Sequence, residues 1–325
     1  MKKLVLSCMA LAAFTFAQAQ NNDGVLDQQG TGNSASMLQD GNDNKMKVEA
    51  KGDGNSSTFQ QIGNKNDADL NAISAGGGNG NTLNVFQTGN ENKGYWELWG
   101  SGNNGYINQQ GNKNETYFNL RGTGQFFPGA VSDGNQVYVD QLGNQNMLTG
   151  GIDGNGNYVR TIQDGNRNKI GSALFNADGV FAIGDGNNLQ VYQTGNDNEA
   201  SLGVVGNGNI GYISQVGDDN EVTLRQGELG DAGNGNRAYV TQDGDENSTD
   251  LLQDGDSNIF SQNTVGNNNK VGKGSFDSNG DLIITGTGLQ QGDGNQMYLN
   301  QTGNNNNFSV NQVGNGNYGV MTQVP

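Results

Sequence analysis

Short stretches of alternating apolar and polar residues recur along the chain, each about five residues long and each bounded by Gly and Asn. After Asn44, for example, Met46 and Val48 take one parity and charged residues take the other. Alternation with a period of two predicts a short β-strand with one buried face. The Asn, the two apolar positions and the next Gln share one parity, so we expect all four to point inward.

A polar motif, Q-x-G-x-x-N, separates these strands at a fixed period. Gln39, Gly41 and Asn44 carry it, and it returns 22 residues later from Gln61. Halfway between, 11 residues on, a second form of the motif places a Gly directly before the Asn, as at Gly54. A fixed period of this length indicates a solenoid. Two alternating turn types indicate two distinct edges.

The motif continues from position 28 to position 323. Its first series, which contains 39 and 61, has Gln in 11 of 12 Gln slots, whereas the second series has Gln in only 4. The sequence therefore predicts an all-β fold, a two-sheet parallel β-solenoid of strand-turn-strand coils with 22 residues per coil and about 12 coils. At ~4.8 Å per coil the array would be on the order of 55 to 60 Å long.

Inward Gln and Asn are expected to form side-chain ladders along the stack, because identical coils place like residues above one another. Without ladder partners each buried amide would cost about 1 to 3 kcal/mol. The predicted ladder residues are Gln39, Asn44, Gln61, Asn66, Gln87, Asn92, Gln109, Asn114, Gln141, Asn146, Gln163, Asn168, Gln193, Asn198, Gln215, Asn220, Gln242, Asn247, Gln301 and Asn306. Glycine reaches positive φ without steric cost, and the predicted turn glycines are Gly41, Gly63, Gly89, Gly111, Gly143, Gly165, Gly195, Gly217, Gly244 and Gly303.

Tyrosine recurs on the outward parity, three residues after the Asn. The positions are Tyr95, Tyr106, Tyr117, Tyr138, Tyr212, Tyr239 and Tyr298. One interpretation is aromatic pairing between neighbouring strands on a solvated sheet face. The other is a lateral binding strip for sugars, surfaces or sister fibres.

Extra residues interrupt the period in five intervals: 61 to 76, 109 to 130, 163 to 182, 215 to 231, and 264 to 290. Every interval begins in the first series, so we expect all five insertions to emerge from one edge of the solenoid. The two largest, around residues 125–128 and 273–287, are candidates for contacts outside the array. The alternative is that surface loops simply tolerate insertion.

The N-terminus has two Lys, an apolar run and an Ala-Gln-Ala ending, which predicts a secretory signal peptide. We therefore divide the chain into a signal peptide at 1–19, a short leader at 20–27 and a repeat array at 28–325. Cys8, the single cysteine, would leave with the signal, and a lipid anchor on it is the alternative. Removing Lys2 and Lys3 takes the net charge from −17 to −19, which disfavours nucleic acid and anionic lipid as partners.

The composition argues against catalysis, since the chain has no His and, after processing, no Cys. We expect a non-enzyme without cofactor or metal. Asp-Gly pairs such as Asp40-Gly41 leave a calcium-binding secreted repeat as a rival, although the period is not 9 and Asn fills the slot where a carboxylate ligand is wanted. An ice-binding solenoid would need a flat outward array of Thr, and the outward positions mix Tyr, Lys, Asn and Glu.

The triplets that begin at Gln61, Gln109 and Gln193, behind a signal peptide, resemble the curlin repeat of bacterial curli fibre subunits. The resemblance covers positions 28 to 323. It implies a secreted functional amyloid that polymerises outside the cell into a fimbrium for biofilm matrix and cell adhesion. It also implies that the inward Gln and Asn stack, and that the partners are the protein itself, a nucleator subunit and an outer-membrane export channel. Familiar curli subunits have fewer repeats and a longer leader.

Assembly is also expected from the ends of the array. A solenoid needs capping units to stay monomeric, and an uncapped edge strand templates further pairing. Because the array reads from position 28 to 323 without a recognisable cap, we expect head-to-tail polymerisation into an extracellular, cell-surface fibre. A monomeric adhesin or stalk with blocked ends, which would bind surfaces or glycans, is the alternative.

Overall fold

A computed structural model describes residues 11–73, 78–120, 132–171, 180–227, 232–276 and 282–324, with side chains except at 11–20, 70–73 and 274–285. Every regular element among these residues is a β-strand. The described residues include no helix long and apolar enough to cross a membrane. The chain divides into two compact units, unit 1 (Met1–Gln145 and Ile152–Gly156) and unit 2 (Asn146–Gly151 and Asn157–Pro325).

Two kinds of strand alternate along the chain. Strands that contain a first-series Gln slot, or that pair with such strands, are called A strands, and the others B strands. In unit 1 the A strands are β1 (Leu11–Gln20), β3 (Ser34–Asn42), β5 (Ser56–Asn64), β7 (Thr82–Asn90), β9 (Asn104–Asn112) and β11 (Gln136–Leu142). Its B strands are β2 (Asp23–Gln29), β4 (Lys45–Lys51), β6 (Asp67–Ile73), β8 (Lys93–Leu98) and β10 (Glu115–Leu120). Within this unit each strand pairs in parallel with the next strand of its own kind, which gives an A sheet and a B sheet.

Unit 2 repeats the same arrangement. Its A strands are β13 (Tyr158–Asn166), β16 (Asn188–Asn196), β18 (Ile210–Val216), β20 (Arg237–Asp243), β22 (Ile259–Val265), β26 (Gln296–Thr302) and β29 (Tyr318–Gln323). Its B strands are β14 (Lys169–Gly171), β15 (Val180–Ile183), β17 (Glu199–Val205), β19 (Glu221–Gln226), β21 (Ser248–Asp254), β23 (Lys270–Phe276), β24 (Leu282–Gly286), β25 (Gly288–Gln291), β27 (Asn307–Ser309) and β28 (Asn311–Val313). One further B strand, β12 (Met147–Asp153), contributes residues to both units.

The strands stack in register, which explains the periodic sequence. In β5 and β7 of unit 1, Gln61 lies opposite Gln87 and Phe59 lies opposite Val85. Burial alternates along each strand as the parity predicts, and Phe59 and Val85 are almost fully buried between the sheets. The predicted two-sheet parallel β-solenoid is confirmed.

The insertions follow B strands, namely β6, β10, β14, β19 and β23. Their central residues, including the candidate contact segment 125–128, lie outside the described residues. In the insertion at 273–287 the flanking strands β23 and β24 pair in antiparallel fashion, and only residues 277–281 between them lie outside the described residues. Its base is fixed to the B sheet of unit 2, since the Thr287 hydroxyl donates to Asp250 Oδ2 (2.6 Å) and accepts from Arg225 Nη2 (2.9 Å).

Two second-series slots are corrected by the structure. The sequence predicts these slots at positions 130 and 231, five residues before Asn135 and Asn236, and both positions lie outside the described residues. The inward positions stacked on Leu98 and Gln253 are instead held by Leu120 and Gln226. In these two coils the insertion comes after the strand, so the slot must be counted forward from the preceding Asn, whereas Ala182 and Gln290, counted back from the following Asn, do lie in the stacked slots.

Candidate functional site

The first-series Gln side chains form a hydrogen-bonded column that is continuous from Gln39 to Gln141 in unit 1 and from Gln163 to Gln242 in unit 2. In unit 1, Gln39 Nε2 donates to Gln61 Oε1 (2.9 Å), and the same bond of 2.8 Å links Gln61 to Gln87, Gln87 to Gln109, and Gln109 to Gln141. The second hydrogen of each amide goes to a backbone carbonyl, as from Gln61 to Lys45 (2.7 Å). Each buried amide therefore has both donors satisfied.

In unit 2 the column runs from Gln163 to Gln193, Gln215 and Gln242, with bonds of 3.0, 3.0 and 3.2 Å. Position 264, the one first-series slot without Gln, still places a polar side chain in the column. The hydroxyl of Thr264 lies in the column and donates to Gln301 Oε1 (3.1 Å). A hydroxyl can replace an amide here because it also offers one donor and an acceptor.

The first-series Asn side chains bind the turns of successive coils together. Asn66 Nδ2 donates to the carbonyl of Gly89 in the next coil (2.9 Å), and Asn66 Oδ1 accepts from the backbone N–H of Asn92 (3.1 Å). The same Nδ2 bond to a turn glycine recurs for Asn44, Asn92, Asn114, Asn146, Asn168, Asn198, Asn220 and Asn247. Each Asn thus satisfies backbone groups that would otherwise be buried without partners.

The turn glycines are required by close approach of the backbone. Gly63 has a φ of +116°, and a Cβ there would lie 1.9 Å from the carbonyl oxygen of Gly89. Two residues later the chain adopts the left-handed conformation in both series. The first series places residues such as Lys65 (φ +56°) there, and the second places glycines such as Gly54 (φ +67°). Nothing lies within 4 Å of a Cβ built at Gly54, so crowding does not explain this glycine.

The second-series column is polar in one part of each unit and apolar elsewhere. In unit 1, Gln28 lies opposite Ala50. In unit 2, Gln226 donates to Gln253, Gln253 to Gln290, and Gln290 to Gln312, at 2.8 to 2.9 Å. Sequence analysis missed Gln226 as a ladder residue. Counting forward from Asn220 would have found it.

The predicted outward tyrosines lie on two sheets rather than in one strip. Tyr95 and Tyr117 lie on the B sheet of unit 1 and their rings stack, with centroids 4.9 Å apart. Tyr106 and Tyr138 lie on the A sheet of that unit, and Tyr212, Tyr239 and Tyr298 lie on the A sheet of unit 2. Tyr212 and Tyr239 are neighbours, with centroids 6.5 Å apart. The geometry is that of cross-strand aromatic pairs.

Charged side chains on the outer surface pair along the stack. Lys93 Nζ lies 2.9 Å from Glu115 Oε1, and this hydrogen bond raises the pKa of Lys93. Lys113 Nζ lies 3.7 Å from Glu91 Oε2. In unit 2 the hydrogen bond from Arg167 holds the pKa of Asp197 below its usual value. Such opposite charges reduce the repulsion within an acidic chain.

These surface pairs are expected to add little stability. We expect Lys93→Ala to change the free energy of unfolding by less than about 1 kcal/mol, because exposed ion pairs are screened by water and salt. Urea unfolding followed by circular dichroism measures this. A loss comparable to that of a buried ladder residue would contradict it.

Among the described residues, no group of three or more His, Cys, Asp or Glu side chains is arranged to hold a metal ion. Several Asp carboxylates at the turns instead accept backbone N–H groups of neighbouring coils. Asp53 Oδ1, for example, accepts from the N–H of Thr31 (2.7 Å), and this bond lowers the pKa of Asp53.

Parallel coils joined by inward amide ladders define a β-solenoid repeat protein. Residues 19–49 and 195–227 match the family model of the curlin associated repeat, so these two segments of the array are similar to curlin repeats. Both matched segments contain first-series slots, Gln39 in one and Gln215 in the other. No curated protein matches the chain.

Proposed function

We propose that this protein is a secreted structural subunit that polymerises head-to-tail into curli-like functional amyloid fibres, which serve biofilm matrix and adhesion. The observation that carries the proposal is the Gln column of unit 1, in which every coil offers the next the same donor at 2.8 to 2.9 Å. Such a ladder imposes no natural end on the stack, since each coil presents the groups that the next one needs.

The curlin repeat supports the same proposal from a second direction. Proteins with this repeat are extracellular fibre subunits, which agrees with the predicted signal peptide at 1–19 and with a cell-surface location. The partner is first of all another copy of the chain. A nucleator subunit, an outer-membrane export channel and glycan or surface ligands of the tyrosines are further partners that belong to this proposal. The role is structural, without catalysis or a cofactor.

The test is seeded assembly of residues 20–325, the predicted mature chain. After removal of denaturant we expect thioflavin T fluorescence to rise after a lag, seeds to abolish the lag, and electron microscopy to show fibres. A folded, β-rich species that stays monomeric for days at micromolar concentration and never elongates seeds would overturn the proposal.

Two rivals give different results in that experiment. A monomeric adhesin or stalk would fold into the same solenoid and remain monomeric. A calcium-binding repeat would fold only with calcium, so a chelator would abolish its circular dichroism. We expect a chelator to have no effect, because Asn fills the slot at the turns where a calcium site needs a carboxylate ligand.

A further inference from the structure

In each Gln column the amide N–H of one coil donates to the amide oxygen of the following coil. At the first and last described coil of a column, an acceptor or a donor is therefore left without a Gln partner. Gln28, in β2 of unit 1, is the clearest case. Both Gln28 Oε1 and Gln28 Nε2 are buried and have no hydrogen-bond partner among the described residues. The neighbour stacked on it is Ala50, which offers no polar side-chain atom. A buried amide without a partner is costly, so this position calls for an amide from outside the chain.

Gln312, in β28 of unit 2, lacks the complementary hydrogen bond among the described residues, namely one from its Nε2 to a further Gln. Its Oε1 accepts from Gln290 (2.8 Å), and its Nε2 donates to the carbonyl of Gln296 (3.1 Å). Gln253, an inner member of the same column, uses Nε2 for two bonds, one to a carbonyl and one to the next Gln. Within the described residues Gln312 makes only the first of these, although its side chain is almost buried.

The A strand of the same coil also lacks a covering neighbour in the described residues. Met321 in β29 lies opposite Leu299 and occupies the same inward position, yet Met321 is 38% exposed whereas Leu299 is 3% exposed. Inward residues are apolar because the next coil covers them. Within the described residues no further coil covers Met321, which presents a core surface there.

We propose that the fibre joint is a specific pairing of this coil with residues 23–39 of a second copy, in the register that Gln312 and Gln28 set. The inference rests on the proposed function. Gln312 Nε2 of one copy donates to Gln28 Oε1 of the next. The same register places Asn306 against Asn22, Asn317 against Asn33 and Gln323 against Gln39. Asn22 Nδ2, another buried donor without a partner among the described residues, then meets an amide oxygen as the inner Asn residues do.

Glycine geometry gives this register a steric signature. A Cβ at Gly292 would lie 2.5 Å from the carbonyl oxygen of Gly314, its neighbour in the next coil. A Cβ at Gly314 would meet nothing closer than Asn317 Nδ2 at 3.6 Å. In the joint, Gly30 of the second copy takes the place that Gly314 has beside Gly292. Position 314 is therefore open in one copy and closed in the fibre.

The joint also requires the edge of β3 to be free. In the full chain β1 occupies that edge, with Phe16 opposite Gln39. Cleavage after Ala19, which the sequence predicts, would remove most of β1 and expose β3 to β29 of another copy. The mature chain is therefore the form that assembles.

The decisive experiment compares Gly314→Ala with Gly316→Ala in residues 20–325. Both glycines lie in one turn with positive φ, but a Cβ at Gly316 meets nothing within 4 Å, and the same holds for its stacked neighbour Gly294. We expect both variants to keep the circular dichroism of the parent. Gly316→Ala should elongate wild-type seeds as the parent does. Gly314→Ala should fail to elongate alone and should cap wild-type fibres, since one copy can add to an open Gly314 end but the next cannot follow.

A second variant tests the joint without touching a turn. Gln28→Leu removes the unsatisfied amide and packs against Ala50, so the fold should be preserved. In the fibre it leaves Gln312 without an acceptor, and we expect the critical concentration to rise by roughly ten- to hundred-fold. Gln29→Leu, at the exposed neighbouring position, is the matched control and should assemble as the parent does.

The outcomes separate the two proposals. If the parent forms fibres and Gly314→Ala or Gln28→Leu elongates like its control, the register is wrong and the fibre function stands. If the parent forms no fibres at all, both proposals fail. Capping by Gly314→Ala together with weakened assembly of Gln28→Leu would establish the joint.

Discussion

Replacement of Gly63 by Ala is expected to destabilise the chain by about 2 to 5 kcal/mol. A non-glycine residue at positive φ costs about 1 to 2 kcal/mol, and forcing an extra carbon into a packed site costs about 1 to 3 kcal/mol more. The added Cβ would lie 1.9 Å from the carbonyl oxygen of Gly89. That oxygen cannot move away freely, because it also accepts a hydrogen bond from Asn66 Nδ2 (2.9 Å). The free energy of unfolding in urea, followed by circular dichroism before assembly begins, measures the effect.

Gly54→Ala is the matched control. Gly54 also has positive φ (+67°), but a Cβ there meets nothing within 4 Å. Only the conformational cost remains, so we expect a loss of about 1 to 2 kcal/mol. Equal losses for the two variants would show that close approach of the coils, as seen between Gly63 and Gly89, does not hold in solution.

The fold could be predicted from the sequence because two independent patterns agree. Alternation predicts which face of each strand is buried, and the 22-residue spacing of Gln39 and Gln61 predicts the register of their strands. A slip by one residue would turn Phe59 outward and Gln60 inward, so no other register satisfies both patterns. Most proteins lack such a repeat, and their strand pairing cannot be read in this way.

Insertions limited the sequence prediction of the ladder. The period assigns a slot by counting from the nearest Asn, and an insertion between strand and turn makes the two directions of counting disagree. For this reason Gln226 was missed and position 231 was chosen. The periodicity locates an insertion only between two motifs. Which side of it belongs to the strand depends on hydrogen bonding between coils, which one sequence does not contain.

The tyrosines show a second limit. All seven occupy the same position relative to an Asn, and from the sequence they suggest one strip. The two series of half-units place their strands on different sheets, however, so Tyr95 and Tyr106 lie on separate faces even though their local sequences correspond. A surface ligand that bridged all seven would have to contact both sheets.

The invariance of Asn and the variability of Gln have a physical reason. A Gln slot can hold Ala50 or Leu98 because its amide bonds mainly to other members of its own column, and an apolar column needs no such bonds. An Asn side chain bonds to backbone groups of the next coil, and these groups are present whatever residue replaces the Asn. Asn66 serves the carbonyl of Gly89 and the N–H of Asn92, and both remain whatever replaces it.

Asn66→Ala is accordingly expected to cost about 2 to 6 kcal/mol, because two buried backbone groups lose their partners at about 1 to 3 kcal/mol each. Urea unfolding measures the loss, and hydrogen exchange of the Asn92 amide should quicken most. Asn64→Ala is the control two residues away. Asn64 Nδ2 also bonds to the next coil, at Asn90 Oδ1 (3.0 Å), but the pair is exposed and water can replace it. Equal losses at the two positions would mean that the ladder acts through side-chain contacts alone, whereas a large difference would place the stability of the stack in the backbone groups that Asn66 satisfies.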